Sequence, residues 1–223
     1  MTDTRACLLF DIDGTLVDTD KVHIVAFNET LKPFGIEVDE HFYFRHISGR
    51  TNPVILAELL PDLSHDRHQQ LSVEKEALFR AMANVIEPIP GLMEILDWAD
   101  THNIPYAAVT NAPRENAEFV IRALNAWHRF ETVVIADEVG EAKPHPLPYL
   151  TGLKKLNGDA RRTVAFEDSR AGVTSAKAAG LHIVGLTTSM NAASLIEHGA
   201  TLAIPDYRDV RLLDFIRATL DLA

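Results

Sequence analysis

The chain has 223 residues, 47% of them hydrophobic, with a formal net charge of −11 and a pI near 5.3. That length suits one large domain or a core with a smaller companion, and the apolar share is enough to bury a real core. The acidity argues against nucleic acid and anionic membrane surfaces as partners, and it requires local cations wherever an anion binds. A lone cysteine, Cys7, excludes a disulfide framework and fits a reducing compartment. The start, Met1-Thr2-Asp3-Thr4-Arg5, has no basic and apolar leader. No run reaches the ~18 apolar residues of a membrane helix. A cytoplasmic location is expected.

In chain order, the first element is the apolar run Leu8-Leu9-Phe10. Its lack of polar residues is the pattern of a strand buried on both faces of a parallel sheet. It ends in Asp11-Ile12-Asp13-Gly14-Thr15, two carboxylates on alternate residues and then a glycine that permits a sharp turn. Ligands of open α/β sheets bind outside the carboxyl ends of the strands, which puts Asp11 and Asp13 where chemistry is expected. An Asp-Gly turn alone is common and carries no function. The later segments decide.

Asp18-Thr19-Asp20 offers N-cap chemistry to a helix with Val22, Val25, Ala26, Phe27, Leu31 and Phe34 on its apolar side, stopped by Gly35. Asn52-Pro53 starts another helix that halts at Pro61, and Ser64 opens a longer one carrying Leu71, Leu78, Phe79 and Met82. Helices without a sheet are expected over 18–87. After Pro88-Ile89-Pro90-Gly91 the pattern changes. Apolar strands at 104–109, 132–136, 163–166, 181–186 and 201–204 then alternate with helices, the last at 208–220. Such alternation implies an α/β fold, a doubly wound, Rossmann-like parallel sheet with helices on both faces.

A strand–helix–strand crossover takes only ~30 residues, far fewer than separate Asp11 from Thr110. The excess reads as a small all-helical cap domain, 17–87, inserted into a core domain formed by 1–16 and 88–223. Its hinges fall near 16–18 and 87–90, and it lies over the carboxyl end of the sheet.

Four strand ends then carry the chemistry. They are Asp11 with Asp13, Thr110-Asn111, Lys143-Pro144 after the loop 137–142, and Glu167-Asp168-Ser169. In one crevice, four carboxylates would repel too strongly to stay ionised together unless a cation joined them. Hard oxygen ligands with room for water suit Mg²⁺.

These four segments, in this order, resemble the motifs of the haloacid dehalogenase-like phosphohydrolase superfamily, and the helical insertion is similar to that of its members with a small helical cap. The runs 107–118, 143–150 and Gly185-Leu186-Thr187-Thr188 resemble broad-specificity sugar-phosphate phosphatases. The resemblance implies that Asp11 is the nucleophile that forms an aspartyl-phosphate. Asp13 would be the acid to the leaving alcohol and then the base for water. It implies Mg²⁺ held by the Asp11 carboxylate, the Asp13 carbonyl and Asp168, with Glu167 steadying the shell. Thr110, Asn111 and Lys143 would bind phosphoryl oxygens.

In the cap, His23, Arg50 and Lys75 resemble the hinge histidine and cationic residues of β-phosphoglucomutase-like relatives. Arg50 or Lys75 would then reach the polar end of the substrate. The plainer alternatives are a helix-face histidine and two surface charges. The expected activity is Mg²⁺-dependent hydrolysis of small sugar phosphates, with a small phosphorylated metabolite as partner and no protein partner implied. A phosphomutase of the β-phosphoglucomutase type is compatible with the same residues. A dehalogenase is disfavoured, because carbon–halogen displacement needs neither Mg²⁺ nor the acid role of Asp13. A protein that only binds is disfavoured by the complete set of catalytic carboxylates.

Overall fold

Strand β1 (Arg5–Phe10) runs through the middle of the molecule. In the computed structural model, which describes residues 4–83 and 85–222, its side chains alternate between two apolar clusters. Leu8 and Phe10 enter one, Cys7 and Leu9 the other, and all four are fully buried. Cover on both faces is why the run contains no polar residue.

After β1 come α1 (Asp20–Leu31), which ends in a short 3₁₀ turn, Lys32–Phe34, then α2 (Glu40–His46), α3 (Asn52–Leu59) and α4 (His65–Met82). These helices share a third apolar cluster that includes Phe27, Leu31, Tyr43, Ile55, Leu56 and Leu71. Ala26 and Phe79 point instead into the main core, which seats the helices on the sheet. The chain crosses between the two parts twice. The crossings are paired: Val17 bridges Pro88 in antiparallel fashion, and the Ile89 amide donates to the Leu16 carbonyl at 2.8 Å.

The remainder alternates: α5 (Leu92–Thr101), β2 (Tyr106–Thr110), α6 (Arg114–Ala123), β3 (Thr132–Ile135), α7 (Ala136–Val139), α8 (Leu147–Leu156), β4 (Gly158–Glu167), α9 (Arg170–Ala178), β5 (His182–Leu186), α10 (Ala192–His198), β6 (Leu202–Ile204) and α11 (Leu212–Leu220). The six strands form one sheet in the order β3-β2-β1-β4-β5-β6, every neighbouring pair parallel. Helices α5, α6 and α11 cover one face, and α8, α9 and α10 the other. The order reverses between β1 and β4, and loops that leave in opposite directions open a crevice there. Phe10 pairs with Ala108 on one side and Phe166 on the other, and its ring stacks on Phe166 at 4.5 Å.

Three local details differ from the sequence reading. The 137–142 loop begins as one helical turn, α7, ended by Gly140. Strand β4 starts at Gly158 rather than near 163, because Arg5 pairs with Gly158 before a bulge restores register at Cys7. The last helix starts at Leu212, because Asp209 accepts from the Arg211 amide and side chain and holds the preceding residues in a turn. No helix among the described residues is long and apolar enough to cross a membrane.

Candidate active site

The pleat ends at Asp11, whose amide donates to the Phe166 carbonyl at 3.0 Å and so continues the β1–β4 pairing one residue past Phe10. The Ile12 carbonyl then accepts from the Leu16 amide at 2.8 Å, which turns the chain back on itself. Gly14 sits at φ +76°, and a Cβ there would lie 2.0 Å from Asp168 Oδ2. Only glycine lets the Asp168 carboxylate come this close to the loop. Gly172 serves Glu167 likewise, since a Cβ would lie 1.9 Å from its carboxylate.

Lys143 is the hub. Its buried Nζ donates to Asp11 Oδ1 at 2.6 Å, Glu167 Oε1 at 2.6 Å and the Val109 carbonyl at 2.7 Å, which uses all three donors. Tyr149, fully buried in α8, donates its hydroxyl to Glu167 Oε1 at 2.6 Å. Ser189, after β5, hydrogen-bonds Asp168 and lies 2.9 Å from Asp20 Oδ2. Asn111 spans the site. Its Oδ1 accepts from the Lys143 amide at 3.0 Å, and its Nδ2 donates to the Lys143 and Gly49 carbonyls at 3.2 and 3.1 Å. Thr110 is buried and its hydroxyl accepts from the Ala112 amide at 2.9 Å.

Carboxylate oxygens of Asp11, Glu167 and Asp168 lie within 4.8 Å of one another. Burial pushes the Asp11 carboxyl up to about 8, with Glu167 adding to the effect and Lys143 opposing it. Asp168 is also held well above the ordinary range, by burial and by its two carboxylate neighbours. Burial works to lower the Lys143 ammonium, yet Asp11 and Glu167 leave it above the usual lysine range. Three carboxylates against one ammonium leave negative charge uncompensated. The all-oxygen donor set and that excess both fit a hard divalent cation.

Toward the helices, Asp13 accepts from the Thr19 hydroxyl at 2.6 Å and lies 3.4 Å from His23 Nε2. Burial alone would raise the Asp13 carboxyl, but the contacts with His23 and Thr19 and the charge of Lys75 hold it below the usual range. Thr19 occupies the N-cap position of α1 yet makes no side-chain capping bond; its hydroxyl is given to Asp13 instead. Lys75 Nζ donates to His23 Nδ1 at 2.8 Å and to Glu76 Oε1 at 2.9 Å. An ammonium donating to Nδ1 leaves the imidazole proton on Nε2, facing Asp13. His23 also stacks on Phe79 at 4.1 Å. Glu76 accepts from Asn52 at 2.6 Å and from Asn116 of α6, and Arg80 donates to Asn116 Oδ1 at 2.6 Å. Arg50 donates to the His46 carbonyl at 2.7 Å and to Glu58 at 2.5 Å.

One cavity therefore runs from Asp11, Asp168 and Lys143 at the sheet to Asn52, Lys75 and Glu76 among the helices. All ten residues singled out in the sequence either line it or, in the case of Glu167, stand directly behind it. Reasoning from sequence missed Tyr149, Ser189, Thr19 as an Asp13 donor, and the pair Glu76–Asn116. Tyr149 and Asn116 fall within the runs 143–150 and 107–118, Ser189 follows the Gly185-Leu186-Thr187-Thr188 run, and Thr19 falls in the Asp18-Thr19-Asp20 cap signal, but none of these signals pointed to the contact each makes.

Comparison with known proteins agrees with this geometry. The family model described as haloacid dehalogenase-like hydrolase matches residues 8–186. The chain is 30% identical over 205 residues to the validoxylamine A 7'-phosphate phosphatase of Streptomyces hygroscopicus subsp. limoneus, covering 91% of this chain and 94% of that protein. It is 31% identical to a phosphorylated carbohydrates phosphatase of Thermotoga maritima, over 88% of this chain and 93% of that one. Among solved structures, a β-phosphoglucomutase from Clostridium difficile aligns with a TM-score of 0.86 over 97% of each chain. At 21% identity that last likeness is one of fold.

Proposed function

The chain belongs to the haloacid dehalogenase-like hydrolases, and from that premise we propose that it hydrolyses phosphate monoesters of small sugars through an aspartyl-phosphate on Asp11. The observation that carries the reading is Lys143 bridging Asp11 and Glu167, with Asp168 within reach of both, at the point where the strand order reverses.

Asp11 attacks phosphorus and forms the new P–O bond as the bond to the leaving alcohol breaks. Lys143 fixes the orientation of that carboxylate, and its contact with Asp11 is the one a phosphoryl oxygen shares as charge is redistributed. Asp13 gives its proton to the departing alkoxide. It then takes a proton from the water that attacks phosphorus, which releases phosphate and restores Asp11. At rest Asp13 is held ionised by His23 and Thr19; an arriving phosphate dianion raises its proton affinity and prepares it as the acid. Thr110 stands at the same sheet edge for the phosphoryl oxygens, and Asn111 ties the Lys143 loop to Gly49 of the helical segment. Asp11, Asp168 and the Asp13 carbonyl, with Glu167 behind them, would hold Mg²⁺, which supplies positive charge to the phosphoryl group.

In this reading residues 17–87 are the cap domain and 1–16 with 88–223 the core. Closure of the helices over Asp11 excludes water until the alcohol has left. His23, Arg50 and Lys75 line the substrate end. The substrate is a small phosphorylated metabolite, and a buried, unpaired Cys7 suits the cytoplasm.

The residues alone would also serve a phosphomutase. The two relatives described above are named as phosphatases, whereas the likeness to the Clostridium difficile β-phosphoglucomutase, at 21% identity, is one of fold, so hydrolysis is the better supported outcome. Incubation with a panel of sugar phosphates and Mg²⁺, following free phosphate and sugar-phosphate isomers together, decides it. Phosphate release that stops on chelation is expected. Isomer formation without phosphate release would make it a mutase, and full turnover in excess chelator would remove the metal from the account.

A further inference from the structure

The cavity wall facing away from Lys143 carries two strong cations, and both are already paired with carboxylates. Lys75 is 2% exposed, with Nζ committed to Glu76 Oε1 at 2.9 Å and His23 Nδ1 at 2.8 Å. Arg50 is committed to Glu58 at 2.5 Å and the His46 carbonyl at 2.7 Å. Among the described residues that line the cavity, Lys143 is the one remaining lysine or arginine, and it serves the sheet end. The helical end thus offers ion pairs already closed, an added carboxylate in Asp137, and neutral groups in Asn52, Ser72 and Asn116.

We propose that this end accepts the uncharged, hydroxyl-bearing part of a phosphate monoester and rejects a second phosphate group, with Glu58 and Glu76 setting the limit by occupying Arg50 and Lys75. The inference rests on the phosphatase reading above and narrows its substrate class to monophosphates. The reason is the cost of burying charge. A second dianion would lose its water beside the buried Glu76 carboxylate, with no unpaired lysine or arginine among the described lining residues to replace the hydration. Sugar hydroxyls both donate and accept, and carboxamides and a serine match them without any charge. Glu76 cannot swing aside, because Asn52, Lys75 and Asn116 hold it from three directions. Glu58 is half exposed, so its hold on Arg50 is the one that a substitution can release without disturbing the core.

The test compares the best-hydrolysed hexose monophosphate with the bisphosphate of the same sugar. Each is measured as kcat/KM in the wild type and as Kd by calorimetry in an Asp11→Asn background that does not turn over. The wild type should favour the monophosphate by at least about tenfold, the worth of one lost charge-assisted contact. Glu58→Ala frees Arg50 and should narrow that preference about fivefold through a lower KM for the bisphosphate, with kcat and the monophosphate values unchanged. Glu76→Gln should narrow it too, and its melting temperature shows whether the fold survives; if it does not, Glu58→Ala decides alone. Equal handling of both esters by the wild type, or a Glu58→Ala ratio that does not move, overturns the proposal. Release of no phosphate from any ester removes the phosphatase reading instead, and the Kd ratio still judges this one.

Discussion

The two ends of the cavity treat charge in opposite ways. At the sheet end, Asp11, Glu167 and Asp168 face one ammonium, and burial, with Glu167 adding to it against Lys143, pushes Asp11 up to about 8. At the helical end, Lys75 meets Glu76 and Arg50 meets Glu58. Buried charge is costly unless it is matched. An unmatched cluster of carboxylates is therefore a place where a divalent cation would supply the missing charge. A closed set of pairs shapes a wall and does not summon an ion. In the proposed reading the same cavity separates reaction from recognition by its charge balance.

The contrast is broken most severely at the sheet end. Asp11→Asn should abolish turnover on every ester, and Lys143→Ala should lower kcat/KM by about 10³-fold or more on sugar and aryl phosphates alike, because both act on the group common to all substrates. Thermal unfolding without Mg²⁺ sharpens the point. Asp11→Asn removes a charge that burial and Glu167 disfavour, so its melting temperature should equal or exceed that of the wild type. A drop of several degrees would mean that the carboxylate cluster is not in excess.

At the helical end the effects are smaller on chemistry and uneven on stability. Lys75→Ala strands Glu76 in the interior, and breaking such a pair costs about 3–5 kcal/mol by denaturant unfolding. Its kcat/KM should fall about tenfold on sugar phosphates and less on an aryl phosphate, whose leaving group does not need the Asp13 acid that Lys75 supports through His23. Arg50→Ala removes a partly exposed pair, which is worth under about 1 kcal/mol, and it should leave aryl phosphate hydrolysis intact. Equal losses on sugar and aryl substrates in these two variants would dissolve the distinction between the ends.

What could be read from sequence follows the same division. Asp11 and Asp13, Thr110-Asn111 and Glu167-Asp168 stand at strand ends, which are visible because apolar runs of period one stop abruptly there, and Lys143 follows in the loop after β3 and α7. The parallel sheet then brings them together by topology, without reference to rotamers. The helical end depends on rotamers. Nothing in the order of residues says that Lys75 turns to His23 and to its own neighbour Glu76, or that Arg50 reaches Glu58 on α3. The Asn116 contact was invisible because its partner, Glu76, lies on a helix of the inserted segment. Thr19 looked like a helix cap by residue type, and it stands at the cap position; only the fold shows its hydroxyl spent on Asp13.

In the proposed reaction Asp11 takes the phosphoryl group and Asp13 lets water remove it. Rapid acid quench of an Asp13→Asn variant with an aryl phosphate, whose leaving group needs no acid, tests both halves at once. Peptide mass spectrometry should find the mass of one phosphoryl group on the segment containing Asp11, in amounts approaching one per chain, and far less in the wild type, where Asp13 clears it. Phosphate on a different residue, or none on either protein while turnover continues, would contradict the account.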